Sequence, residues 1–213
     1  VDLAKNNRGK HSFKEDENGT SGMVSGGASL TLGSEDSMIF MVGGNYHTMT
    51  NPNNLIGKNL SLNPRTNLVT TDGKGLVSKF NLGTGSLMLT LFPSSFPITI
   101  YGDASYNLGA GQGSSAQGDS DKALKENAMK ANLGYVAGVM LGHLRESGNM
   151  MLGYQYKMVG TDSVFSGFNE DQLMGTGINA QEVMLGIQFA PKTTGTLGAQ
   201  VSTDIGGNTP YYT

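Results

Sequence analysis

The sequence predicts an all-β chain, folded as an antiparallel up-and-down β-barrel of the transmembrane type, with eight strand candidates. Three observations carry that expectation. Apolar residues alternate with polar residues or glycine, the strand candidates are long, and the connections between them are alternately short and long. The alternation is clearest in Asn149–Met158 and Gln181–Phe189. In the first, Leu152, Tyr154, Tyr156 and Met158 share one face and Gly153, Gln155 and Lys157 the other, because successive side chains of a strand point to opposite faces. In the second, Val183, Leu185, Ile187 and Phe189 oppose Glu182, Met184, Gly186 and Gln188.

Residues 1–20, including the segment His11–Thr20, are polar and aperiodic and are expected to form an arm or loop ahead of a barrel domain over 21–213. Strand candidates follow at 22–33, 37–49, 75–92, 97–107, 129–144, 149–159, 180–190 and 195–205. Gly33–Asp36, Pro93–Phe96, Arg145–Gly148 and Pro191–Gly195 are short turn signals. Long polar connections lie around 50–74, 108–128 and 160–179. Strict alternation of the two kinds puts tight turns at one rim and long loops at the other, a regularity that a Greek-key sandwich has no reason to produce. Strands of about 10–16 residues suit tilted membrane strands, which need about 9–11; soluble strands average about 5–6.

The other strands test the pattern. Over 132–142, Leu133, Tyr135, Ala137, Val139 and Leu141 oppose Asn132, Gly134, Gly138 and Gly142, with Val136 and Met140 as exceptions. Over 98–106, Ile98, Ile100, Ala104 and Tyr106 oppose Thr99, Tyr101, Asp103 and Ser105. Over 197–205, Leu197, Ala199, Val201 and Ile205 oppose Gly198, Gln200, Ser202 and Asp204. The candidate at 75–92 changes parity between Phe80 and Leu82 on one side and Leu87, Leu89 and Leu91 on the other. It predicts either a bulge in Gly83–Ser86 or a hairpin turn there that splits the strand. Asp119–Ala128 can form a short helix within the second long loop, with Asp119 or Asp121 near its N-terminus. Gly109–Gly113 is expected to be a flexible loop rather than a phosphate cradle, because a polar loop and no helix follows it.

Composition narrows the function classes. A chain of 213 residues fits one domain. Its 32 glycines are well above the usual share of about 7%. The 37% of hydrophobic residues is low for a soluble core, but a barrel with a polar interior needs only half of each strand apolar. A net charge of −3 with 15% charged residues gives no footprint for nucleic acid. Without cysteine there is no thiolate chemistry. His11, His47 and His143 are scattered without ligand spacing, and no Gly-x-Ser-x-Gly elbow occurs. No cofactor, metal or enzymatic activity is therefore expected. A half-buried sheet in a soluble protein produces the same period of two; strand length, small residues on the polar face and the alternating loops favour the membrane barrel.

Pro97–Asn107, Gly134–His143, Ser147–Tyr156 and Thr161–Val164 together resemble a porin family of bacterial outer-membrane β-barrels. The likeness spans about residues 97–205, with Met150 where the family carries a turn tryptophan. It implies a Gram-negative outer-membrane location, contact with outer-membrane lipid, and passive diffusion of ions or small hydrophilic solutes. Family members are larger and close on an apolar strand ending in an aromatic residue, whereas this chain ends Thr209-Pro-Tyr-Tyr-Thr213. The resemblance thus implies the C-terminal part of a longer member or a shortened relative, acting alone, as a homo-oligomer or with another envelope protein.

An Arg or Lys facing lipid at mid-bilayer costs about 2–4 kcal/mol, so Asp103, Lys157, Glu182 and Asp204, with Gln155 and Gln188, are expected to line the lumen. Of the long loops, 160–179 is the first candidate to fold inward, with Asn169, Glu170 and Asp171 as a constriction or surface loop. The lumen is either an aqueous channel or a packed interior in which the charges pair. In the second case the chain is a non-conducting structural or interaction barrel that binds partner proteins at the cell surface through its long loops.

Overall fold

A computed structural model describes residues 22–55, 67–71, 75–94, 96–113, 121–165 and 176–204. Eight antiparallel strands form one sheet in sequence order: β1 (Gly22–Ser34), β2 (Met38–Thr50), β3 (Asn81–Leu91), β4 (Ile98–Asn107), β5 (Leu133–Gly142), β6 (Met150–Val159), β7 (Ile178–Ala190) and β8 (Thr193–Asp204). Short connections join β1–β2, β3–β4, β5–β6 and β7–β8, and long ones join the remaining neighbours. The residues 1–20 and the loop residues Asn169, Glu170 and Asp171 lie outside the described residues.

The sheet is an up-and-down meander with β1 and β8 as its edges, and it is not closed into a barrel. This corrects the expectation of closure. Each neighbouring pair is a hairpin or loop-linked pair whose register follows from its connection and from the two-residue side-chain period. Closure needs pairing between the two ends of the sheet, which no connection specifies.

The irregularity expected at Gly83–Ser86 is also corrected. β3 keeps unbroken register with β2 and β4 through those residues, with neither bulge nor turn. Residues 75–80 belong to the loop, so Phe80 precedes the strand. It is fully buried, and Leu82 packs against its cluster, while Leu87 is half exposed on the opposite face. The parity change therefore marks one end of the inner face being apolar. The register shift that does occur lies between Gln188 and Ala190 of β7. β5 starts at Leu133 rather than near 129, because α1 (Lys122–Lys130) occupies the preceding residues. Asp121 stands at the N-cap of α1, where its side chain makes no cap hydrogen bond; it accepts instead from the Thr71 amide at 3.0 Å and the Thr71 hydroxyl at 2.5 Å.

Residues directly paired across strands share a face, so the register sorts the sheet into rows. One row runs Met38, Leu91, Ile98, Leu141, Leu152, Leu185, Leu197. The next is Leu32, Phe40, Leu89, Ile100, Val139, Tyr154, Val183, Ala199. Both lie on what we call the outer face. No charged residue of the eight strands falls in its register. Most of its large side chains are exposed, up to 73% at Leu197 and 71% at Val201, while Phe40, Leu89, Leu91, Ile98, Val139 and Leu141 are half-buried. The opposite, inner face carries Ser25, Ser29, Thr84, Ser86 and Ser105, several glycines, and all four charged strand residues. Val136 and Met140, the exceptions in 132–142, lie on it.

Tyrosines and phenylalanines separate along the strands. Tyr46, Tyr106, Tyr135 and Tyr156 share the outer face toward the long loops, with the Tyr135 and Tyr156 rings 5.9 Å apart. Phe92, Phe96 and Phe189 are exposed near the tight turns. The hydrophobic core gathers at the loop end, where Met49, Leu76, Phe80 and Phe165 form one buried cluster and Val159, Ile178 and Ala180 another. At the opposite end, Gly33 turns the chain from β1 to β2 with φ 107° and its Cα facing the Met38 carbonyl too closely for a side chain.

Candidate functional site

The inner face holds two constellations. The first crosses its middle. Tyr101 of β4 lies across β5 and donates its hydroxyl hydrogen to Gln155 Oε1 at 2.9 Å. Gln155 Nε2 donates to Glu182 Oε2 at 2.6 Å, and Lys157 Nζ stands 3.2 Å from the same oxygen. Gln155, Lys157 and Glu182 are all buried. Gly138 makes the crossing possible, since a Cβ there would sit 2.5 Å from Tyr101 Cζ. Gly138→Ala is expected to push the ring aside, leave Gln155 Oε1 without its donor and cost about 1–3 kcal/mol. Denaturant unfolding checks this, and the same substitution should cost much less in a Tyr101→Ala background, where no ring crosses Gly138.

Of the expected lumen residues, Gln155, Lys157 and Glu182 thus come together, and two of them neutralise each other. Asp103 lies on the same face in the row Ser29, Gly43, Ser86, Asp103, Val136, Lys157, and is exposed. The register of Asp204 puts it opposite Ile178. Gln188 sits near the tight turns instead. It is buried, its Nε2 donates to the Ala190 carbonyl, and its backbone pairs with Asn149 at 2.9 Å and Gly148 at 2.7 Å.

The second constellation, at the loop end, includes none of the residues expected to line the lumen. Asp162 is fully buried between three connections. Its Oδ1 accepts from the Leu68 amide at 2.9 Å, its Oδ2 from the Ser78 hydroxyl, and its carbonyl oxygen from Asn107 Nδ2 at 2.9 Å. Ser78 Oγ in turn accepts from the Gly111 amide at 2.9 Å. Asn67 Nδ2 donates to the carbonyls of Thr161 at 2.8 Å and Val164 at 2.6 Å. Ser163 lies over the inner-face residue Gly134, its Oγ 2.8 Å from where a Cβ would be. Residues 160–165 therefore run from β6 across the inner ends of β5 and β4, and Phe165 meets Phe80 edge to face at 5.4 Å. Gly109–Gly113, expected to be flexible, is docked on this assembly, with Lys79 N–H bonded to Gly109 O at 2.9 Å and Gly113 N–H to Val77 O at 2.8 Å. A side chain at Gly109 would strike the Lys79 carbonyl at 2.7 Å, so glycine serves close approach there rather than flexibility.

Burial pushes the Asp162 carboxyl up to about 6, against the smaller opposing effects of hydrogen bonds from Ser78, Leu68 and Asn67. His47 Nδ1 is 2.9 Å from Ser25 Oγ and His143 Nδ1 is 2.7 Å from Asn149 Nδ2. Among the described residues, no three His, Cys, Asp or Glu side chains gather as metal ligands. Comparison of the chain with protein-family models, curated proteins and solved structures gives no match.

Proposed function

We propose that this chain is a porin-like barrel of the bacterial outer membrane, through which ions or small hydrophilic solutes diffuse passively. One observation carries the reading: an outer face with unbroken apolar rows across the strands and no charge, backed by a polar, glycine- and serine-rich inner face. Soluble monomers rarely expose contiguous apolar patches beyond a few hundred Å², and an apolar outside over a polar inside is the arrangement of a membrane barrel. On the outer face of β2, Met38 and Tyr46 stand eight residues apart. At about 3.4 Å per residue and a tilt of about 40°, that is roughly 21 Å of height, close to the ~25 Å apolar band of such barrels and bounded by tyrosine at the loop end.

In lipid, the free backbone groups of β1 and β8 would each cost several kcal/mol. Membrane insertion on this reading therefore pairs the two edges with each other or with further strands. β1 and β8 run antiparallel, β1 beginning and β8 ending at the long-loop rim, and carry matching faces, with Leu30, Leu32, Leu197 and Val201 outward and Ser29, Thr31, Thr196 and Ser202 inward.

A second reading has its own support. The apolar seal of Phe80, Phe165 and Met49 at the loop end suits a non-conducting barrel whose loops bind another envelope protein. Planar-bilayer recording of the purified chain separates them: discrete, non-saturating conductance steps are expected of the pore. Membrane insertion without conductance at any voltage would transfer the chain to the second reading, and a protein that stays monodisperse without detergent would remove both.

A further inference from the structure

Asp162 bonds two of the loop segments that meet at the loop end, through Leu68 N–H and through Ser78, while its own backbone carbonyl is held by Asn107 of β4. Because Ser78 Oγ also receives the Gly111 amide, the carboxyl is linked through one hydroxyl to the 108–113 turn as well. We propose that residues 160–165 are a strap whose seating on the inner face is tuned by protonation of Asp162: held more firmly with the carboxyl neutral than with it ionised. The strap's geometry stands apart from the membrane reading. Under that reading, seating it narrows the loop-end mouth at acid pH.

The physical reason is desolvation. A carboxylate in a site with no exposure loses its hydration, and neutral donors restore only part of it. Among the described residues, no compensating cation faces it. On the surrounding elements Lys79 is exposed, Asp121 is bonded to Thr71, and Lys157 is paired with Glu182. Burial therefore wins, and the seated carboxyl titrates near 6 against 3.8 for a solvated one. Between those values the seated state holds more protons than the released one, so raising the pH favours release, and the effect levels off once both are ionised. From about pH 5 to about pH 7.5 the ratio of released to seated strap should rise about tenfold.

The test is amide hydrogen exchange of the full chain in detergent micelles, reading the Leu68 and Gly111 protection factors corrected for intrinsic exchange. Protection is expected to fall about tenfold across that pH range. In Asp162→Asn, which mimics the neutral carboxyl, it should stay high and flat. In Ser78→Ala, which removes a bond favouring the ionised form, the midpoint read at Leu68 should move to higher pH, and this arm stands even if Asp162→Asn fails to fold. Equal wild-type protection at both pH values, a slope that persists in Asp162→Asn, or a midpoint unmoved or lowered in Ser78→Ala overturns the proposal.

Discussion

Leu185→Arg is expected to block assembly of the chain into lipid bilayers. Leu185 is midway along the outward-facing run of β7, 42% exposed, and paired between Leu152 and Leu197 in the apolar row. If that face meets hydrocarbon, a guanidinium at this depth costs about 2–4 kcal/mol, which lowers the inserted fraction about 30-fold or more at 1.4 kcal/mol per tenfold. The measurement is protease protection of the chain folded into lipid vesicles. Thr196→Arg, exposed on the inner face of the neighbouring strand, supplies the control, since it adds the same side chain to the polar side and should insert like wild type. Equal insertion of both variants would mean that the outer face does not meet lipid.

Glu182→Met should destabilise the folded chain by about 3–5 kcal/mol, because it removes the carboxylate that stands 3.2 Å from the buried Lys157 ammonium. It also takes the acceptor from Gln155 Nε2. The double variant Lys157→Met, Glu182→Met should recover most of that loss, since replacing both members of a buried pair by apolar groups of similar volume is often close to neutral. Urea unfolding in micelles compares the three proteins. A single variant as stable as the double one would show that the pair is solvated rather than buried. The recovery also bears on function, because an interior that tolerates the uncharged pair does not need these two charges for its fold.

The strands are legible in the sequence because what defines them is local. Alternation along 149–158 or 181–189 depends only on each residue's neighbours in the chain, and the register shows the same division into faces. The short helix before β5 is legible for the same reason, although its last residues also read as the start of a strand. Phe80 and Leu82 are legible as a parity conflict, which a bulge would explain equally well. Their true cause, an apolar seal made with Phe165, joins residues some eighty positions apart and leaves no periodic trace. Asp162, Ser78 and Asn107 give no signal, because an Asp, a Ser and an Asn in polar loops look like turn residues until burial is known.

Secondary structure, the two faces of each strand and the alternation of turns with loops all follow from the order of residues, since a strand's side-chain period and a turn's backbone demands are short-range properties. Which residues of distant strands meet is settled at a different level. Folding pairs Lys157 with Glu182, lays Tyr101 across Gly138, seats residues 160–165 on the inner face and leaves β1 and β8 as edges. Those outcomes depend on burial and on cross-strand register, which arise only when separate segments share one sheet.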